Sequence, residues 1–161
     1  LYNDLLINVT TFFRDPDTMT YLSKVLLPRI INEKAPRDPI RIWVPACSTG
    51  QEAYSLAMLL IEALGDQASS VTIQIFATDL SEMSVGKARQ GSYTRGEVMD
   101  VSPQRLQRFF TKTDDNYRIN RAVRDLCVFA PQNILKDPPF SRPDLISCRN
   151  LLIHLVNVSP L

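Results

Sequence analysis

The feature that most constrains this chain is the order of its elements between Ile40 and Gln90. Ile40 to Val44 is short, apolar and β-branched, which predicts a buried strand. Pro45 to Gly50 is a loop of small residues, and Glu52 to Leu64 is a strongly apolar helix with Gly65 as its C-cap. Val71 to Thr78 predicts a second strand, and Ser81 caps a further helix that runs to about Gln90 before Gly91. Strand, helix, strand, helix is the order that builds a parallel sheet with crossover helices.

The flanks are read from the same signals. Asp15-Pro16 opens a helix with Leu22, Val25, Leu26, Arg29 and Ile30 at helical spacing on one apolar face, and Pro36 to Pro39 is a linker. Ser102-Pro103 starts a helix carrying Leu106, Phe109 and Phe110. Tyr117 to Arg124 is expected to form a small hairpin after a polar turn over Thr113 to Asn116. Leu126 to Ala130 and Asp144 to Cys148 are further strands, separated by a proline-rich loop, and Asn150 to Leu155 is expected to begin a helix. The expected organisation is one domain: an N-terminal motif and helix over 1–39, a core over 40–100, a helix and hairpin insertion over 101–125, and the remaining strands over 126–161.

Composition excludes little. At 161 residues, 45% hydrophobic and 22% charged, the chain suits one globular domain. A net charge of +1 creates no global field for nucleic acid or an acidic membrane. Cys47, Cys127 and Cys148 are an odd number at unrelated spacings, which argues against a disulfide framework and for a reducing, cytoplasmic setting. There is no membrane-span pattern or signal peptide, and no metal is expected.

The strongest site signal is Pro45-Ala46-Cys47-Ser48-Thr49-Gly50-Gln51-Glu52, between the first strand and its helix. Ligands of open parallel sheets bind beyond the carboxyl ends of the strands. Small residues there let a ligand approach the backbone. Only Gly50 of a dinucleotide glycine pattern is present, the Gly-Lys-Ser/Thr ending of a phosphate loop is missing, and Glu52 at a helix start repels phosphate. Asp79 ends the second strand, where an acidic side chain takes ribose hydroxyls. A plain turn, with Glu52 and Asp79 serving only the helix starts, is the competing reading.

Four ordered motifs carry a resemblance: Asn8-Val9-Thr10-Thr11-Phe12-Phe13-Arg14-Asp15, Ala46 to Ser55, Ala77-Thr78-Asp79-Leu80-Ser81, and Cys148-Arg149-Asn150-Leu151-Leu152-Ile153. Over about Asn8 to Leu155 the chain resembles the chemotaxis-receptor glutamate O-methyltransferases, the CheR family. The segment Phe129 to Ser141 resembles members fused into multi-domain signalling proteins. The resemblance implies a Rossmann-like, S-adenosylmethionine-dependent methyltransferase sheet with flanking helices and a small β-hairpin insertion. It also implies a protein substrate bearing glutamates on an acidic helix, from a chemoreceptor or related signalling protein.

The resemblance implies residue roles as well. Asn8, Thr10 and Arg14 would close over the cofactor, Ala46, Cys47 and Gly50 would form its loop, and Glu52 would hold its methionine-derived or ribose part. Asp79 would take the ribose hydroxyls, Asn133 and Ile134 would flank the adenine, and Cys148 and Arg149 would line the pocket near the sulfonium. Arg14 and Arg149 are the arginines suited to orient a carboxylate by forked hydrogen bonds. His154 stands where the family has a tyrosine near the transferred methyl, so its catalytic assignment rests on a different side chain. The product would be S-adenosylhomocysteine.

The chain begins at Leu1 rather than Met and holds only part of such a sheet, so a fragment truncated at its C-terminal end is expected. Its last buried-type strand is then expected to be an exposed edge. The cofactor-binding half is present, which favours binding over activity. Two rivals follow from the same residues. Asp137-Pro138-Pro139-Phe140 resembles a nucleic-acid amino methyltransferase motif, but it precedes Asp144 to Cys148 instead of following it. A non-catalytic cofactor-binding or interaction module of a signalling protein is the second. A basic group, Arg95, Arg105, Arg108, Lys112, Arg118, Arg121 and Arg124, is either a solvated face or a dock for the acidic helix.

Overall fold

The computed structural model describes residues 10–148 and the backbone of Leu155–Val156. The first helical run has three parts: α1 (Pro16–Tyr21), a π-helical turn over Leu22–Leu26, and α2 (Leu27–Glu33). Pro28 explains the wide turn. It has no N–H to give the carbonyl four residues back, and its ring crowds that carbonyl. The Leu27 amide bonds Leu22 O instead, five residues back. The wider turn shifts the buried stripe to Leu22, Leu26, Leu27 and Ile30, so Val25, expected on the apolar face, is exposed.

The centre is a five-stranded sheet. β1 (Ile40–Pro45), β2 (Ile73–Asp79), β6 (Cys127–Pro131) and β7 (Leu145–Ser147) run parallel, and β8 (Leu155–Val156) is antiparallel, in the order β6-β2-β1-β7-β8. Register runs from Ile40↔Ile73 to Pro45↔Thr78 and from Ile75↔Cys127 to Asp79↔Pro131. The carboxyl ends of four strands therefore share one edge of the sheet.

Each crossover helix is legible in its residues. α3 (Gln51–Leu64) follows Gly50 and buries Ala53, Tyr54, Leu56, Ala57, Met58, Leu59 and Leu60. At about 1.5–3 kcal/mol for each large apolar side chain removed from water, this helix is the main anchor of the core. It packs against Ile42, Val44, Ile75, Ala77 and Phe129, with the Tyr54 and Phe129 rings 5.2 Å apart. α4 (Glu82–Gln90) is capped by Ser81 Oγ, which accepts the Ser84 amide, and ends at Gly91 in the left-handed region (φ 62°). The opposite face of the sheet carries Gln74, Phe76 and Val128. There Phe140 stacks on Phe76 at 4.8 Å and the Arg41 guanidinium lies 4.3 Å from the Phe140 ring centre.

Several boundaries differ from the sequence expectations. The insertion is a three-stranded antiparallel sheet, β3-β5-β4, made of β3 (Ser92–Thr94), β4 (Phe110–Thr113) and β5 (Asn116–Ile119). Phe110 begins β4 instead of ending α5 (Pro103–Phe109), and the expected hairpin over Tyr117 to Arg124 gives way to β5 followed by α6 (Arg121–Arg124). The hairpin closes on Asp114, whose left-handed φ of 49° suits a short polar turn. The second strand starts at Ile73 instead of Val71, because Gly65–Ser69 is a 3-10 turn that delays it. Leu155, expected in a helix, is in β8. That strand pairs Ile146↔Val156 and Ser147↔Leu155, so β7 is covered and is not the exposed edge expected of it. Among the described residues no helix is long and apolar enough to cross a membrane.

Candidate functional site

The site grows from the turn between β1 and α3. Ala46, Ser48 and Gly50 alternate in the left-handed region, with φ of 54°, 51° and 100°. For the two non-glycines that costs about 1–2 kcal/mol each. Hydrogen bonds hold the turn against this strain. Cys47 N donates to Thr78 O at 2.9 Å, and Ser48 N donates to Asp79 Oδ2 at 2.8 Å. A Cβ on Gly50 would lie 2.9 Å from Ala88 Cβ and 3.0 Å from Tyr93 Oη, so only glycine fits there.

Asp79 is more than a ligand candidate. Its Oδ2 accepts Ser48 N and its Oδ1 accepts Ser81 N at 2.9 Å, which ties the β1 and β2 tips together. A carboxylate offers about four lone-pair sites, so about two remain for hydroxyl donors. Glu52 is in the first turn of α3 and is buried. Ser147, at the tip of β7, donates its hydroxyl to Glu52 Oε1 at 2.6 Å. Because β1 lies between β2 and β7, the two carboxylates flank the β1 turn from either side. Cys47 feels both. Burial, then the charge of Asp79, and finally that of Glu52 push its thiol up to about 12, so at neutral pH it is an uncharged wall and not a nucleophile.

Other expected site residues are placed differently. Asn133 and Ile134 follow the tip of β6, beside Asp79, through the Gln132 N bond to Asp79 O at 3.0 Å. Asn133 Oδ1 accepts Leu135 N and the Asn133 backbone N–H donates to Asp137 Oδ2, an Asx-type turn that leaves Ile134 exposed. Gln132 donates its side-chain amide to Pro138 O at 2.8 Å, which pins the proline loop back onto this tip. Thr10 is half-buried. Arg14 lines a cavity of about 470 Å³ with Thr11, Asp100 and Arg105, to which neither Glu52 nor Asp79 contributes. The segment before Arg14 is fixed by Phe13 N donating to Ser55 Oγ at 2.9 Å and by fully buried Phe12. Cys148 follows β7 and is half-buried. Asn8, Arg149 and His154 lie outside the described residues.

Three contributors escaped the sequence reading: Ser48 as the donor to Asp79, Ser147 as the donor to Glu52, and Tyr93, whose hydroxyl donates to Thr49 O at 2.7 Å. Ser147 left a signal, since a polar residue in an otherwise apolar buried strand needs a partner. Tyr93, in a three-residue strand, left none.

The donor set tests the expected ligand. Two carboxylates beside a turn of small residues suit hydroxyl and amino groups on a nucleoside, and an acid at the helix start is a poor seat for phosphates. Fold and site define a Rossmann-like, nucleoside-binding α/β domain.

Family comparison makes this specific. Residues 8–159 match the family described as CheR methyltransferase, SAM binding domain, and the chain belongs to that family. S-adenosylmethionine is accordingly its cofactor. The chain is 36% identical over 154 residues to Chemotaxis protein methyltransferase 1 of Pseudomonas aeruginosa, covering 91% of this chain and 55% of that protein. It is 34% identical over 148 residues to the Chemotaxis protein methyltransferase of Listeria monocytogenes, covering 92% of this chain and 54% of that protein. It is also 40% identical over 154 residues to an uncharacterised 104.1 kDa protein of Rhodobacter capsulatus, covering 96% of this chain and 16% of that protein. The chain thus spans about half the length of the chemotaxis methyltransferases it matches.

Proposed function

We propose that this domain serves a cytoplasmic O-methyltransferase that modifies glutamate carboxylates of a chemotaxis receptor or related signalling protein. The observation that carries the reading is the placement of Asp79 and Glu52 on either side of the β1 turn, Asp79 held by Ser48 of that turn and Glu52 by Ser147 at the tip of β7. Bound S-adenosylmethionine supplies an electrophilic methyl group on its sulfonium.

The protein's own residues supply placement. Asp79 offers its remaining lone pairs to the ribose hydroxyls, and Glu52 accepts from the amino or hydroxyl groups of the ligand. Ala46, Cys47 and Gly50 leave room for it against the backbone. A glutamate substrate, with a pKa of about 4.3, is already ionised at neutral pH, so no general base is needed. Rate then comes from alignment and from excluding water. Arg14 and Arg149 are assigned the orienting of the incoming carboxylate, Asn8 and Thr10 the closing of the cofactor site, and Asn133 and Ile134 the base. Cys148 lines the sulfonium side, and His154 is assigned the place the family gives to tyrosine.

Calorimetric titration with S-adenosylhomocysteine tests the site. Asp79→Ala is expected to weaken binding by about 1.5–3 kcal/mol through the lost hydrogen bonds to a charged group. An intact protein indifferent to S-adenosylmethionine and its spent product overturns the reading. Binding without methyl transfer to any receptor would move the domain to the non-catalytic alternative.

A further inference from the structure

We infer that Tyr93 is a positioning residue for the cofactor turn, a side chain through which the small antiparallel sheet sets the geometry of the β1–α3 loop; the inference rests on the cofactor assignment above. Tyr93 lies in β3, paired with Tyr117 of β5, and is almost fully buried. Its hydroxyl donates to Thr49 O at 2.7 Å, inside the turn between Ser48 and Gly50. Tyr93 Oη is also 3.0 Å from where a Gly50 Cβ would be, so Tyr93 both anchors the turn and fills the space that the glycine leaves.

The ring makes a second connection. It meets Phe12 edge-on, with centroids 4.9 Å apart at 84°, and Tyr54 at 6.4 Å and 82°. Phe12 belongs to the N-terminal motif that carries Thr10 and Arg14. One residue thus touches the cofactor turn, the N-terminal motif and α3 together. Burial pushes the Tyr93 phenol well above its usual range, so its proton remains available to Thr49 at any working pH.

The geometry separates two roles. As mere core, Tyr93 would stabilise the fold through its ring alone. As a positioning residue, its hydroxyl fixes Thr49 and through it the strained stretch from Ser48 to Gly50, where the ligand approaches the backbone. Tyr93→Phe keeps the ring contacts with Phe12 and Tyr54 and removes only the hydroxyl. Phe110→Leu is the matched control, because Phe110 touches the same Phe12 ring at 5.6 Å and has no polar side-chain atom with which to hold the turn.

The experiment is calorimetric titration of S-adenosylhomocysteine into the intact protein, wild type and both variants, alongside thermal unfolding without ligand and KM and kcat for S-adenosylmethionine. Tyr93→Phe is expected to raise the dissociation constant and KM roughly tenfold, the effect of about one hydrogen bond, with kcat at saturation nearly unchanged. Phe110→Leu is expected to lower the melting temperature with the dissociation constant unchanged. Should Tyr93→Phe behave like Phe110→Leu, losing stability but not affinity, the positioning role is overturned and the cofactor assignment stands. A wild-type protein that fails to bind S-adenosylhomocysteine overturns both.

Discussion

Ser147 and Glu52, 95 residues apart in sequence, meet through a 2.6 Å hydrogen bond in which the serine hydroxyl donates to Glu52 Oε1. Both are buried, Ser147 completely and Glu52 at 5% exposure. The bond joins the tip of β7 to the first turn of α3 and fixes the orientation of the carboxylate. Ser147→Ala removes a donor to a buried charged group, at a cost of about 1.5–3 kcal/mol. Urea unfolding is expected to show that loss, and calorimetry a parallel loss of S-adenosylhomocysteine affinity. Stability lost with affinity intact would mean that the orientation of Glu52 does not matter to the ligand.

Asp79 yields a sharper expectation. Both of its oxygens accept backbone amides, from Ser48 and from Ser81. Asp79→Asn places an NH2 group against one of those two N–H donors, whichever way the amide is turned. The asparagine variant is therefore expected to bind S-adenosylhomocysteine as poorly as Asp79→Ala, within about threefold, and to be no more stable. Retention of near wild-type affinity by Asp79→Asn would show that the amide bonds are dispensable.

These two residues also mark what the sequence revealed. Asp79 was legible, because a strand of β-branched and apolar residues ending in an acid before a Ser-capped helix is a local pattern. So were the Ile40 strand and the apolar helix ending at Gly65, where periodicity and caps agree. The Ser147–Glu52 pairing was not, since it depends on β7 entering the sheet beside β1, a long-range choice that local residues do not encode. The small sheet was half legible: the turn at Asp114 was marked by polar residues, but Ser92–Thr94 is too short to show a period. The π turn was hidden behind ordinary helical spacing, and only Pro28 hinted at it.

The thiols give a pH prediction. Burial, reinforced by Asp79 and Glu52, pushes Cys47 from 9.0 up to about 12, and burial pushes the Cys127 thiol up as well. Both folded-state values exceed the unfolded ones. The protonated thiols therefore contribute stability fully below pH 9.0, and that contribution is lost as pH climbs toward about 12. In the native protein at pH about 8, near the free-thiol range, iodoacetamide is expected to label half-buried Cys148 first, with Cys47 and Cys127 labelled only on unfolding. Mass spectrometry of the digested protein reads the order. Early labelling of Cys47 would contradict its burial beside the two carboxylates.

The basic residues of the insertion divide by what they touch, and that division predicts which of them meet a substrate. Arg105 holds Glu62 through both carboxylate oxygens, with Nη2 to Oε1 at 2.9 Å, and its guanidinium lies 4.1 Å from the Phe13 ring centre. Arg118 donates to Gln90 O and Arg124 to Ile119 O, each at 3.0 Å. Those three are committed to the fold. Lys112 rests 5.9 Å from the Tyr117 ring, and Arg121 makes an exposed pair with Asp125 at 3.6 Å, worth little in water. If an acidic helix docks here, Lys112→Glu with Arg121→Glu is expected to raise the KM for the receptor about threefold to tenfold at low salt and to flatten its salt dependence, because exposed charges act mainly on encounter. The dissociation constant for S-adenosylhomocysteine is expected to stay unchanged. Arg105→Ala is expected to behave oppositely, costing about 1 kcal/mol of stability with little salt dependence of receptor binding. Steady-state kinetics across a salt series decides the matter: a double charge reversal that leaves receptor KM untouched at every salt concentration makes this face a solvated surface and nothing more.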